Sequence, residues 1–156
     1  MPRRGKVVKR EVLPDSKYGS QLITRVTHKV MRWGKKSTAE RIVYGALDLA
    51  SAELKRPQPD VLDQAIRNAT PLLQVKPRRV AGATYQVPVE VKGDRGSTLA
   101  IRWLLASARA RKGMSMSRKL SAELIDAYRG QGSTIKKRED THRMAEANKA
   151  FAHFRW

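Results

Sequence analysis

Gly34-Lys35-Lys36-Ser37-Thr38 puts two lysines and two hydroxyls directly before a helical pattern, residue types that suit a phosphate group. The segment is not a nucleotide-binding P-loop. That motif needs a glycine where Lys29 stands and a serine or threonine where Lys36 stands. What remains is a pair of cations at a helix N-terminus, whose free backbone donors also favour an anion. Lys76, Arg78 and Arg79 form a second group in a strand-like stretch, with Lys92 and Arg95 at its base. Basic side chains on a projecting ribbon reach phosphates or enter a groove. Lys136, Lys137 and Arg138 form a third, in what reads as the first turn of the last helix. Three cations there oppose the helix macrodipole, and Glu139 and Asp140 offset them only partly. A phosphate would neutralise both side chains and helix end. Arg102, Arg109, Arg111, Lys112, Arg118 and Lys119 continue the basic field. Arg3, Arg4, Lys6, Lys9 and Arg10 begin it.

Other chemistry is poorly provided for. The chain has no cysteine, so it has no disulfide, thiolate metal site or cysteine nucleophile. His28, His142 and His153 have no partners at a recurring ligand spacing. Gly130-Gln131-Gly132 starts like a dinucleotide fingerprint, but Ile135 replaces the third glycine and no strand precedes it. No paired carboxylates stand out and no serine nucleophile elbow is present. The residues point away from an enzyme and imply no cofactor, no metal and no small-molecule substrate. Tyr85 has two readings, a base-stacking ring or a packed one.

The charge is unevenly distributed. Thirty-three Lys and Arg face 14 Asp and Glu, for a net +19. Residues 1–39 hold eleven basic and two acidic side chains, and residues 71–119 hold the same. Residues 40–70, with four and five, are nearly neutral. Self-repulsion of this size favours a polyanionic partner, and nucleic acid is the natural one. The 156 residues suit one domain. No apolar run is long enough for a membrane span, and the basic start Met1-Pro2-Arg3-Arg4-Gly5-Lys6 lacks the apolar region of a secretion signal. A cytoplasmic protein with no membrane partner is expected.

Six helices and a ribbon must position these groups. Residues 1–19 read as a basic arm broken by Pro2, Gly5, Pro14 and Gly19. From Ser20, Leu22, Val26 and Val30, with Ile23 adjoining, mark a helix that Gly34 stops. Ser37-Thr38-Ala39-Glu40 reads as a capping box, followed by an apolar face of Ile42, Val43, Ala46, Leu47, Ala50 and Leu54. Beyond Pro57 and Pro59, Asp60 is expected to cap a shorter helix carrying Leu62, Ala65, Ile66 and Ala69. Within residues 72–91, Thr84 to Val91 alternates with period two and Leu73 to Val80 alternates less cleanly, around a plausible three-residue turn Ala81-Gly82-Ala83. Pro77 and Pro88 cannot donate to a ladder, which favours a two-stranded ribbon leaning on helices or a partner. Ser97 is expected to cap the next helix, with Leu99, Trp103, Ala106 and Ala110 along one face. Met116, Leu120, Leu124 and Tyr128 mark a fifth, and Ser133 or Thr134 starts a sixth that runs to about Ala150. Its thin apolar face includes Ile135, Met144 and Ala145.

Three long segments then become recognisable. Tyr18-Gly19-Ser20 and Gly34-Lys35-Lys36-Ser37-Thr38-Ala39-Glu40-Arg41-Ile42-Val43-Tyr44 resemble the signature of the bacterial ribosomal small-subunit protein seven family. The run from Arg78 to Val91 resembles that family's hairpin, and the run from Lys136 to His153 its last helix. The resemblance covers almost the whole chain. It implies a mainly α fold: a six-helix bundle in residues 20–156, one extended, protruding two-stranded β-hairpin at about 72–91, and a basic N-terminal arm. It also implies a primary binder of 16S ribosomal RNA that nucleates assembly of the 3′ major domain, the head of the small subunit. The hairpin would lie near the exit-site tRNA and the mRNA path, close to small-subunit protein eleven and other head proteins. Carried over, the RNA-facing residues are Arg3, Arg4, Lys6, Lys9, Arg10, Lys35 and Lys36. Lys76, Arg78, Arg79, Arg95, Arg102, Arg109, Lys136, Lys137 and Arg138 follow. Arg111 and Lys112 join them from the basic field alone. Ser16 follows Asp15 where the family usually has proline, which implies a less rigid exit for the arm. The main alternative is a DNA-binding architectural protein with a basic arm and ribbon, though no dimerisation heptad supports it.

Overall fold

The computed structural model describes residues 11–80 and 82–154. Helix α1 (Gln21–Val30) buries Ile23, Val26 and Val30. α2 (Lys36–Leu54) follows a tight loop and buries Ala39, Val43, Ala46, Leu47 and Ala50. The expected capping box does not form. α2 already starts at Lys36, so Ser37 lies within the helix and no side chain caps its end. Glu40 instead pairs with Lys36 one turn earlier, at 3.5 Å. α3 (Gln58–Ala69) has Pro57 at its N-cap and Pro59 in its first turn, so Asp60 sits inside that turn rather than capping it.

Two antiparallel strands follow, β1 (Leu73–Val80) and β2 (Ala83–Glu90), in register from Leu73↔Glu90 to Val80↔Ala83. Ala83 is therefore paired, and the connection is two residues long rather than three. Gly82 takes φ +89°, the left-handed backbone that a tight hairpin turn demands and glycine tolerates. The sheet has no third strand among the described residues, as the two prolines required. The ribbon is not free along its length. Val87 is 0% exposed and Pro88 is buried. The Tyr85 ring lies 5.0 Å from Phe151 and 5.4 Å from Phe154, centroid to centroid. These phenylalanines belong to a short 3₁₀ helix, Lys149–Phe154. Tyr85 is thus a packed tyrosine.

α4 (Asp94–Ala110) begins three residues before the expected cap Ser97, whose hydroxyl donates to the Asp94 carbonyl at 3.0 Å. Its buried face is Ala100, Ile101, Leu104, Leu105 and Ala108, not Leu99, Trp103, Ala106 and Ala110. Both stripes have helical spacing, and the one richer in aliphatic side chains wins the core. Gly96 is packed so closely that an added Cβ would come within 2.8 Å of Thr70 Cγ2. α5 (Met116–Tyr128) is the central helix, buried through Leu120, Leu124 and Ile125 and packed against α2, α3 and α4. α6 (Gly132–Ala147) lies against α5 and the base of the ribbon, where His142 Nε2 accepts the Leu72 N–H at 3.0 Å. Ile135 and Ala145 are buried there, whereas Met144 is exposed.

Base and tip of the ribbon should therefore respond differently to change. Replacing residues 79–84 by an Asn-Gly turn keeps the Arg78↔Tyr85 pair and should leave the unfolding midpoint nearly unchanged. Val87→Ala removes buried methyl groups and should cost about 2–3 kcal/mol in urea denaturation. Equal losses in the two variants would show that the whole ribbon is part of the core.

Candidate nucleic-acid interface

The α1–α2 loop is set by two consecutive left-handed residues, Trp33 at φ 56° and Gly34 at φ +72°. They turn the chain so that the Lys35 N–H donates to the Arg32 carbonyl at 3.1 Å. Beside this loop is a cleft of about 480 Å³. Arg32 and Lys35 from the loop, Arg109 from the end of α4 and Lys119 from the first turns of α5 all line it. Among the described residues no carboxylate lines the cleft. Arg109 also donates to the Lys29 carbonyl at 3.4 Å, which ties α4 to the end of α1. The α1–α2 loop thus meets the end of α4 and the start of α5, some seventy residues further along the chain, at one cationic end.

Where the arm meets the body, Asp15 organises the backbone. Its Oδ2 accepts the N–H groups of Lys17 and Tyr18, each at 3.1 Å, and its Oδ1 accepts the Tyr44 hydroxyl at 2.7 Å. Burial, aided by the hydrogen bond to Asp15, pushes the Tyr44 phenol above its ordinary range, so it remains a donor. Gly19, at φ +64°, closes the turn by donating to the Asp15 carbonyl at 2.9 Å. Lys17 sits 4.9 Å above the Tyr18 ring and 5.3 Å above the Tyr44 ring. The exit of the arm is thereby anchored to α2 through Tyr44. Arg3, Arg4, Lys6, Lys9 and Arg10 lie outside the described residues.

On the ribbon, Lys76 and Arg78 stand opposite Val87 and Tyr85, and Arg79 stands opposite Thr84. Alternation puts Arg79 on the other face from Lys76 and Arg78. Arg95 donates to Gln74 Oε1 at 3.3 Å at the ribbon's base, and Arg102 is exposed on α4. Among the described residues no group of histidines and carboxylates could hold a metal ion, and no helix is long and apolar enough to cross a membrane.

Comparison with known proteins decides the family. Residues 2–149 match the family model described as ribosomal protein S7p/S5e. Over 154 residues the chain is 61% identical to the small ribosomal subunit protein uS7 of Chloroflexus aurantiacus (strain J-10-fl) and 62% identical to that of Chloroflexus aggregans. Each alignment covers 99% of this chain and 98% of the relative. The uS7 of Xanthobacter autotrophicus is 59% identical over the full length of both chains. The chain belongs to the ribosomal protein S7p/S5e family. Membership makes it a structural ribosomal protein of the small subunit and not an enzyme. The mainly helical body and two-stranded hairpin expected of an S7p/S5e chain are both present.

Two groups of basic residues are placed differently from the sequence-based expectation. α6 starts at Gly132, so Lys136, Lys137 and Arg138 lie past its first turn. The macrodipole fades within that turn, and the conflict expected between it and the cluster largely disappears. The anion that the helix start favours is internal. Glu123 Oε1 accepts the Thr134 N–H at 3.1 Å, the Thr134 hydroxyl at 2.6 Å and the Ser133 hydroxyl at 3.3 Å. Lys136 and Lys137 are exposed, whereas Arg138 turns inward and donates to the Asn68 carbonyl near the end of α3. Arg111 is likewise committed within the fold. It reaches Glu123 at 2.7 Å and also pairs with Asp126. Burial opposes its charge, but these two carboxylates more than compensate and raise its pKa. Lys112, next to it, is exposed. Sequence reasoning missed Glu123 and Trp33. Glu123 gave no local signal, because its partners lie ten or more residues away. Trp33 was visible as a large aromatic between Arg32 and Gly34.

Proposed function

We propose that the protein is a primary binder of 16S ribosomal RNA that nucleates assembly of the 3′ major, or head, domain. Its hairpin would lie near the exit-site tRNA and the mRNA path, beside small-subunit protein eleven and other head proteins. The observation that carries the reading is the cationic end where Lys35, Arg109 and Lys119 meet with no carboxylate lining the cleft among the described residues. Charge converging from three elements suits the irregular backbone of a folded RNA. Lys76, Arg78 and Arg79 on the ribbon, with Arg95 and Arg102, extend the proposed surface, as do Lys36, Lys112, Lys136 and Lys137. The arm residues Arg3, Arg4, Lys6, Lys9 and Arg10 are proposed to join it. Arg111 and Arg138 are assigned to the fold instead. The small subunit of bacteria is cytoplasmic, which fits the expected location.

Purified protein should bind naked 16S RNA without other ribosomal proteins, and its footprint should fall in the 3′ major domain. Duplex DNA should compete poorly. A requirement for previously bound proteins, or a footprint in another domain, would refute primary binding. Equal competition by duplex DNA would favour the architectural DNA-binding alternative.

A further inference from the structure

Trp33 is 94% exposed, the most exposed of the large apolar side chains among the described residues. Its backbone lies at φ 56°, a region bulky residues rarely occupy. Such an outlier, held at a surface, invites a functional explanation. The fold supplies none. Among the described residues the indole N–H has no partner, and the ring packs against nothing that would bury it. Yet Trp33 stands at the cleft described above, where Val30, Met31, Ile42 and Met116 supply apolar lining. Methionine side chains adapt readily to a planar group. The cations Arg32, Lys35, Arg109 and Lys119 occupy the same opening.

A flat apolar ring beside an apolar cleft, surrounded by cations without carboxylates, matches one occupant. We infer that Trp33 and the cleft take an unstacked nucleobase of RNA, with the flanking phosphates held by Arg32, Lys35 and Lys119. The base stacks on the indole, and the left-handed turn presents the ring. A base in a continuous duplex cannot do this, because both its faces are covered. An apolar protein segment would leave the four cations without counter-charges. The inference rests on the proposed RNA binding and adds to it a specific, sequence-tolerant contact at a bulge, loop or end.

The test compares wild-type protein with Trp33→Phe and Trp33→Gly on naked 16S RNA across a salt series. Glycine removes the ring and suits the left-handed backbone, so this variant should be at least as stable as wild type. Its affinity should fall about five- to a hundredfold, the usual worth of one stacked base. The salt slope should not change, since no charge is removed. Trp33→Phe should retain most of the affinity. Bound RNA should quench tryptophan fluorescence in the wild type and clearly less in Trp33→Phe. Wild-type affinity in Trp33→Gly, or equal quenching in wild type and Trp33→Phe, would overturn the stacking contact while leaving RNA binding intact. Failure of the wild type itself to bind 16S RNA would overturn both readings.

Discussion

Glu123→Ala should destabilise the RNA-free protein by about 3–5 kcal/mol, the range for breaking a buried ion pair on one side. Glu123 is 0% exposed, yet it carries a carboxylate in the middle of α5. One oxygen caps α6 through Thr134 and Ser133, while the other accepts two donors of Arg111, Nε at 2.9 Å and Nη2 at 2.7 Å. One side chain thus joins the segment after α4 to the start of α6. Removing it leaves the buried Thr134 N–H without its acceptor and Arg111 with Asp126 as its only charged partner among the described residues. Glu123→Gln retains an oxygen for Thr134 but loses the charge facing Arg111, so its loss should be intermediate. Urea denaturation of the three proteins gives the order. A Glu123→Ala variant within about 1 kcal/mol of wild type would mean that the network is idle.

Much of the fold was legible because glycine and proline punctuate it. Gly34, Pro57, Gly113 and Gly130 fall between the helices, and Pro77 and Pro88 foretold a ribbon with no third strand among the described residues. The caps were less legible. Ser37, Asp60 and Ser97 are good cap residues, yet each helix begins earlier, at Lys36, Gln58 and Asp94. A few tenths to about 2 kcal/mol from a cap is easily outweighed by packing that gains from an added turn. α4 shows the limit of periodicity. Two stripes share its spacing, and only the neighbouring helices determine which one is covered. The same holds for charge. Arg111 and Lys112 are adjacent cations in the sequence, but one is bound by two carboxylates from α5 and the other is exposed. Arg138 and Lys137 divide in the same way. Composition foretold a polyanion partner but could not sort the cations that face it from those that hold the body together.

That sorting yields the second large effect. The binding constant for 16S RNA should fall steeply with salt, with a log–log slope of about −0.7 or steeper for each phosphate neutralised. Replacing Lys35, Lys119, Lys136 and Lys137 by glutamine should shift that slope toward zero by about 0.7 for every one of them that meets a phosphate. At moderate salt the combined loss should exceed tenfold, while stability changes by no more than about 0.5 kcal/mol at each of the exposed sites Lys35, Lys136 and Lys137. Arg138→Gln should behave in the opposite manner. Its guanidinium donates to the Asn68 carbonyl near the C-terminal end of α3, where a cation also meets the negative end of that helix. Losing this contact should cost about 1–3 kcal/mol of stability and leave the salt slope unchanged. A single phosphate clamp made of Lys136, Lys137 and Arg138 at the helix start requires all three to move together. It predicts a stability gain when the cluster is neutralised, because the helix start would be relieved. With α6 starting at Gly132 and capped by Glu123, no such relief is available. A triple variant that melts higher than wild type would restore the clamp. A slope indifferent to all four lysines would remove this surface from the RNA interface.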